Sequence, residues 1–298
     1  MSFRFKSQTI TLDNYREIFK ACTQDILDEI RLAILDDTPI ATFIEPCGND
    51  SFKLGQLRKA VREMVHTEYL NPLFSGKVIE KIRIGESKGY DMSALLIYVN
   101  KKGLLLSNDV LEILADFILL GVDVSKVDFT KVPSNQVSLI CKGLYNKYPM
   151  WLLVGNNLTN ERIELLQRGM QLGVDIHPFL CDGWSDDVII SLFSYVKKIN
   201  INDVLSYISP RFTRKEVNIL LNLRSKGYPI DLLAKRDKDG NPIYNEFQFK
   251  VLSEALQHGI DSNSVFNPYL SDEEMQKQLD LELKEKNRIL NVSLNKKH

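Results

Sequence analysis

The stretch Ser107-Asn108-Asp109-Val110-Leu111-Glu112-Ile113-Leu114-Ala115-Asp116-Phe117-Ile118-Leu119-Leu120-Gly121-Val122-Asp123-Val124-Ser125-Lys126-Val127 carries the reading that decides the fold. Ser107 offers an oxygen to an orphan amide of a first helical turn, and Asp109 suits the positive end of the helix dipole. Val110, Leu111, Leu114, Phe117 and Ile118 recur at helical spacing, which predicts an amphipathic helix with one buried face. Gly121 stops it, because glycine readily takes the left-handed conformation that helix ends commonly need. Beyond the glycine, Val122, Val124 and Val127 alternate with Asp123 and Ser125, and Asp123 is placed to cap a second, short helix.

Outward from this stretch the same grammar repeats along the chain. Small polar residues that read as caps stand at Thr23, Asn49, Ser75, Ser107, Ser134, Thr159, Ser185, Thr213, Asn245 and Ser271, at intervals of 26, 26, 32, 27, 25, 26, 28, 32 and 26 residues. Apolar residues fall one, three and six places after a turn residue. Gly89 precedes Tyr90, Met92 and Leu95, Gly173 precedes Val174, Ile176 and Phe179, and Gly227 precedes Tyr228, Ile230 and Leu233. Gly259 is followed by Ile260 and Val265. Lys147 (Tyr148, Met150, Leu153) and Lys198 (Ile199, Ile201, Val204) hold the same slot without a glycine, and Asp37 ends an early copy before Thr38, Ile40 and Phe43. The unit opening near Asn49 matches least.

Apolar residues just before the caps predict hydrophobic staples: Phe74 with Ile79, Leu158 with Ile163, Trp184 with Ile189, Phe212 with Val217 and Leu270 with Met275. Thr213 with Glu216 and Ser271 with Glu274 have capping-box spacing. Asp91, Asp123, Asp175, Asn200 and Asp261 recur at one slot, which points to turn capping rather than to catalysis or metal binding, since active-site groups do not recur once per repeat.

A single unit of this kind cannot bury its apolar face alone, but stacked neighbours form a continuous core. The expectation is an all-α fold, an α-solenoid of about nine or ten helix–turn–short-helix repeats of 25–32 residues. Residues 1–22 read as an N-terminal capping segment, 23–270 as the array and 271–298 as a charged capping helix and tail, with no further internal boundary. Two copies are longer, through Asn100-Lys101-Lys102-Gly103 and Lys235-Arg236-Asp237-Lys238-Asp239-Gly240-Asn241-Pro242. Asn100, Lys101, Lys102, Arg236, Asp237, Lys238, Asp239 and Asn241 are therefore the candidate partner-binding residues, because insertions in repeat arrays emerge as surface loops.

Gly121-Val122-Asp123-Val124-Ser125, with looser copies at Gly173-Val174-Asp175-Ile176 and Gly259-Ile260-Asp261-Ser262, resembles a class of short helical repeats in uncharacterised proteins of low-GC Gram-positive bacteria and their mobile elements. The similarity runs from about Ser75 to Ser271. It implies an interaction role, in phage or plasmid interplay with a host and its defence complexes, and transfers no catalytic residue.

Composition narrows the chemistry further. Thirty-eight basic and thirty-nine acidic side chains leave a formal charge of -1, so no global positive field favours a polyanion. Cys22, Cys47, Cys141 and Cys181 are scattered, which fits neither a disulfide framework nor a zinc site. The first residues, Met1 to Lys6, lack an apolar secretory core, and the most apolar helix, Val110 to Leu120, contains Glu112 and Asp116 and is too short for a bilayer, so a cytoplasmic protein without membrane contact is expected.

No nucleotide-binding glycine motif or nucleophile elbow is present, and none of His66, His177, His258 and His298 has a second histidine or cysteine at i+3 or i+4 on a helix, Cys181 and Asp182 being loop neighbours of His177. Asp237-Lys238-Asp239-Gly240-Asn241 alternates oxygen ligands as a calcium loop does, yet Pro242 and Gln248 stand where such a loop needs glycine and glutamate. Trp151 and Trp184 read as core residues. The chain is thus expected to be non-enzymatic and without cofactor or metal, a protein-binding scaffold or inhibitor. The alternative, a nucleic-acid-binding repeat protein, rests on basic clusters at Arg58-Lys59-Arg62, Lys77-Lys81-Arg83 and Arg211-Arg214-Lys215, which do not recur in register.

Overall fold

The computed structural model describes residues 3–6, 8–181, 183–260 and 265–295. The expectations for Met1, Ser2, Asp182, Asp261, Ser262 and His298 lie outside the described residues. The chain forms two compact units that meet in sequence between Asn160 and Glu161.

The first unit opens with an antiparallel ribbon, β1 (Phe3–Phe5) and β2 (Gln8–Ile10), with Phe3 opposite Ile10. Helices α1 (Tyr15–Ile18), α2 (Gln24–Leu35), α3 (Ala41–Cys47), α4 (Ser51–Arg62) and α5 (Gly76–Ser87) follow. A second ribbon, β3 (Val99–Asn100) and β4 (Gly103–Leu104), precedes α6 (Asn108–Leu119) and α7 (Val137–Tyr145). Among the long helices, α2 packs on α4, α4 on α5, α5 on α6 and α6 on α7.

The second unit contains α8 (Asn160–Gln171, whose first residue closes the first unit), α9 (Asp186–Tyr195), α10 (Ile201–Leu205), α11 (Arg214–Ser225), α12 (Glu246–Gln257) and α13 (Asp272–Asn295). Here α9 packs on α11, α11 on α12 and α12 on α13. The fold is predominantly helical, and among the described residues it departs from all-α at the two small ribbons and at a bridge between Arg236 and Pro242.

Helix starts follow the expected chemistry at most caps. Ser75, Ser107 and Ser185 accept the amides of Val78, Val110 and Val188 at 3.2, 3.4 and 3.4 Å. Thr213 and Glu216 form a reciprocal capping box, as do Asn245 and Gln248 and also Ser271 and Glu274. Thr23 caps α2 through its extended backbone alone.

Two caps require correction. Asp50, not Asn49, caps α4, taking the Lys53 amide at 2.8 Å, because an ionised carboxylate one residue later is a stronger acceptor at the same helix end. Ser134 caps nothing: it opens a short 3-10 turn, Ser134–Gln136, behind Pro133, and α7 begins only at Val137.

Helix ends are more uniform than helix starts. Asp37, Met64, Gly89, Gly121, Lys147, Gly173, Gly227 and Gly259 all have positive φ, between 54° and 86°. In each case the next amide closes the helix on the carbonyl five residues back, as in Val65 to Ala60 (3.0 Å), Tyr90 to Gly85 (3.0 Å), Val122 to Phe117 (3.0 Å) and Tyr148 to Gly143 (2.9 Å). This is the Schellman closure. Met64 thus gives the poorly matched repeat that opens near Asn49 the same ending as the others. Lys198 is the exception: its φ is not positive, and its amide and that of Ile199 both return to the Tyr195 carbonyl, at 2.8 and 3.1 Å.

Past each turn the chain dives back under its own helix. Met92, Leu95, Val122, Val124, Val127, Met150, Leu153, Ile176, Phe179, Ile230 and Leu233 are buried in the positions that the alternation marks. Asp91, Asp123, Asp175 and Asn200 accept the amides of Ser93, Ser125, His177 and Asn202 at 2.8 to 3.1 Å and so cap the following single turns. Those turns are mostly 3-10. Met92 and Met150 lie against Gly85 and Gly143 so closely that a Cβ on either glycine would overlap the methionine sulfur.

Candidate functional site

Residues of three successive repeats, within 90–97, 118–126 and 144–151, line a depression on the first unit made of two adjoining grooves. The register explains how its aromatic residues reach solvent. In most copies the places three and six beyond the left-handed residue are buried and place one is buried or half-buried, with exposed Thr67 after Met64 the exception, and the fourth place points outward. Glu68, Ser93, Ser125, His177 and Asp231 occupy that fourth place and are exposed. At Lys147 the fourth place holds Trp151, which is 49% exposed. The expectation that Trp151 is a core residue is therefore overturned by its own repeat register.

Tyr145 stands two places before the left-handed residue, where other copies carry Arg62, Ser87, Gln171, Ser225 and Gln257, or Leu35 and Leu119. It is 58% exposed, and Leu120, just before Gly121, is 60% exposed. With Leu144, Tyr148 and Val122 they line a cleft of about 670 Å³. A second groove of about 410 Å³ shares Gly121, Val122 and Asp123 with the first and extends it past Tyr90 to Ile97, which is 58% exposed. Exposed aromatic and aliphatic side chains that sit in slots polar in most other repeats contribute little to folding, and such patches mark interaction surfaces.

Charge is arranged along this depression with a direction. Lys126 and Lys147 border the Trp151 cleft, and Asp91 borders the Ile97 groove. Asp123 lies between them. Its carboxylate accepts from the Ser125 hydroxyl and amide and sits 3.5 Å from the Lys126 amine, and the Ser125 hydroxyl bond holds its pKa below the usual carboxylate value.

The residues expected to bind a partner fall on two separate loops. Asn100, Lys101 and Lys102 are exposed at the tip of the β3–β4 ribbon, where the Asn100 side chain accepts the Lys102 amide at 2.7 Å. In the other loop, Asp237 accepts the amides of Asp239 and Asn241 and the Asn241 side chain at 2.8 to 2.9 Å. Its oxygens serve the loop itself, with the pKa lowered by the Asn241 side chain first. Among the described residues no group of three or more metal-ligating side chains exists. Arg236 donates to the carbonyls of Ser206 and Ile208 at 3.3 Å, and Ser209 donates to Gly240, so this loop is strapped onto the preceding repeat. Lys238 and Asp239 remain exposed on it.

The basic clusters are largely consumed between helices. Buried Arg58 pairs with Glu29 at 2.9 Å and with Asp36, tying α4 to α2. Arg62 also reaches Asp36, Arg83 reaches Glu63 at 3.0 Å, and Lys81 reaches Asp116 at 2.7 Å. Lys77 lies 3.9 Å from Glu112, Arg214 3.4 Å from Asp187, and Lys215 3.0 Å from Glu246. Lys59 and Arg211 make no ion pair among the described residues.

Two of the four thiols, Cys47 and Cys141, are buried and the Cys181 thiol is exposed. Burial pushes the Cys47 thiol up to about 11 and the Cys141 thiol up to about 12. His177 bonds the carboxylate of Asp175 at 2.7 Å within an exposed turn, and His258 forms the C-cap of α12. Among the described residues no helix is long and apolar enough to cross a membrane. Set against known proteins, the chain matches no family model, no curated protein and no solved structure.

Proposed function

We propose that this chain is a non-enzymatic, cytoplasmic helical-repeat scaffold of the α-solenoid type that binds another protein, as an adaptor or an inhibitor. The observation that carries this reading is the depression built from Leu120, Tyr145, Tyr148 and Trp151, extended by Ile97. Its exposed apolar residues break the polar pattern that most other repeats keep, which is the mark of a surface selected for contact rather than for folding. The likeness of its turns to repeats of mobile elements adds a narrower proposal, that the target belongs to a host defence complex.

Nucleic-acid binding has less support, because a repeat array that reads a polyanion needs cations in register, and here most cations of the basic clusters bridge neighbouring helices. Affinity capture from host lysate, with and without nuclease and at low and raised salt, tests the reading. A stoichiometric protein that survives both treatments is the expected result. Nucleic acid that disappears at raised salt would overturn it.

A further inference from the structure

The Trp151 cleft has a chemistry that specifies its occupant. We propose that it takes an extended polypeptide segment that lays a bulky apolar side chain on Trp151 and Tyr145 and sets acidic side chains against Lys126 and Lys147. The inference rests on the protein-binding reading above and adds the chemistry of the partner.

Three observations carry it. The aromatic side chains offer rigid, amphipathic contact area that suits an apolar anchor. Two cations border this end: Lys147 has no ion-pair partner among the described residues, and Lys126 pairs at 3.5 Å with the Asp123 carboxylate oxygen that Ser125 leaves open, a solvent-exposed pair that an incoming carboxylate can join. The charge then changes, since both grooves share Asp123 but the lysines border only the Trp151 cleft, whereas the Ile97 groove adds Asp91 and has no lysine in its lining. A polypeptide matches that change by placing its acidic residues at one end. A nucleic-acid strand does not, because its regularly spaced phosphates would run onto Asp123 and Asp91.

Selection of a random dodecapeptide display library on the full chain, with counter-selection on Trp151→Ser, tests the proposal. Serine is what the same slot holds at Ser93 and Ser125, so the variant keeps a residue the fold already accepts. The expected binders carry Asp or Glu beside a Trp, Phe, Leu or Pro anchor. By fluorescence anisotropy, the best of them loses about 10-fold in affinity on Trp151→Ser. Lys147→Gly weakens it about 3-fold and reduces its salt sensitivity, although that change relieves backbone strain.

Binders that depend on Trp151 but are uncharged or basic would overturn the acidic partner and leave the docking site standing. A selection without any Trp151-dependent binder would overturn the site as well. Trp151-dependent binding of an oligothymidylate probe would replace the polypeptide with a nucleic acid.

Discussion

Replacing Lys147 by glycine is expected to stabilise the protein, whereas the same change at Lys198 is expected to destabilise it or leave it unchanged, although the sequence pattern sets both lysines in one slot. Lys147 has φ of 64° and closes α7 by the bond from Tyr148 to Gly143. A left-handed conformation costs a residue with a Cβ about 1–2 kcal/mol relative to glycine. Glycine in turn loosens the unfolded chain, which takes back about 0.4–1 kcal/mol. The net gain is about 0.5–1 kcal/mol, or about 2 °C at the ~2–4 °C per kcal/mol typical of chains of this size class. Lys198 lacks positive φ, so only the unfolded-state cost applies there. Gly121→Ala, at φ of 80° with open space around the new methyl, should lose about 1 kcal/mol. Urea unfolding followed by circular dichroism reads all three. Equal shifts for the two lysines, or a loss of stability in Lys147→Gly, would refute the reasoning.

Other perturbations follow from the same geometry. Gly143→Ala and Met150→Ala should couple by about 1–3 kcal/mol in a double-mutant cycle, because the alanine methyl overlaps the methionine only while the methionine is present; additive effects would contradict this packing. Arg58→Ala removes the buried cation of Glu29 and leaves Asp36 with Arg62 alone, and should cost about 2 kcal/mol in urea unfolding, more than Arg214→Ala on the exposed pair with Asp187.

At pH 8, iodoacetamide should label exposed Cys181 in the native protein but reach Cys47 and Cys141 only on unfolding, as mass spectrometry of the labelled peptides would show. The pKa values of Asp91, Asp123 and Asp175 are lowered, chiefly by hydrogen bonds from Ser93, Ser125 and His177. Their small stabilising contribution is present above the unfolded-state pKa, about 4, and fades as the pH falls through the folded values. Asp123→Asn should therefore flatten the acid limb of the stability profile.

Much of the architecture is legible in the sequence because it rests on local rules. A polar cap, an apolar face and a turn residue need only neighbours in sequence, so Ser107, Gly121 and Asp123 announce their roles, and Gly173 and Asp175 repeat them. The misreadings occur where two local solutions compete. Asp50 outbids Asn49 because both can cap one helix start, and Pro133 sets a 3-10 turn that delays α7 past Ser134. Lys147 and Lys198 look alike because the apolar spacing after them is alike, yet only the first adopts positive φ.

The exposed aromatic cleft was hidden for a different reason. Hydrophobicity marks Trp151 as core, and only the register of its repeat, with buried Met150 and Leu153 on either side, turns it outward. That signal was present in the sequence as the fourth place after the turn. The pairing of basic clusters with carboxylates on neighbouring helices depends on contacts made about 20 to 35 residues away, which no local pattern encodes.

The most direct test of the proposed docking site is site-specific photo-crosslinking in cells of the native host, with a photoreactive phenylalanine placed at Tyr145 or, as a control in the second unit, at Tyr228. A discrete protein adduct from position 145 that is absent from position 228 and lost when Trp151→Ser is added is the predicted result. Adducts of equal yield from both positions, or none from position 145, would contradict the account.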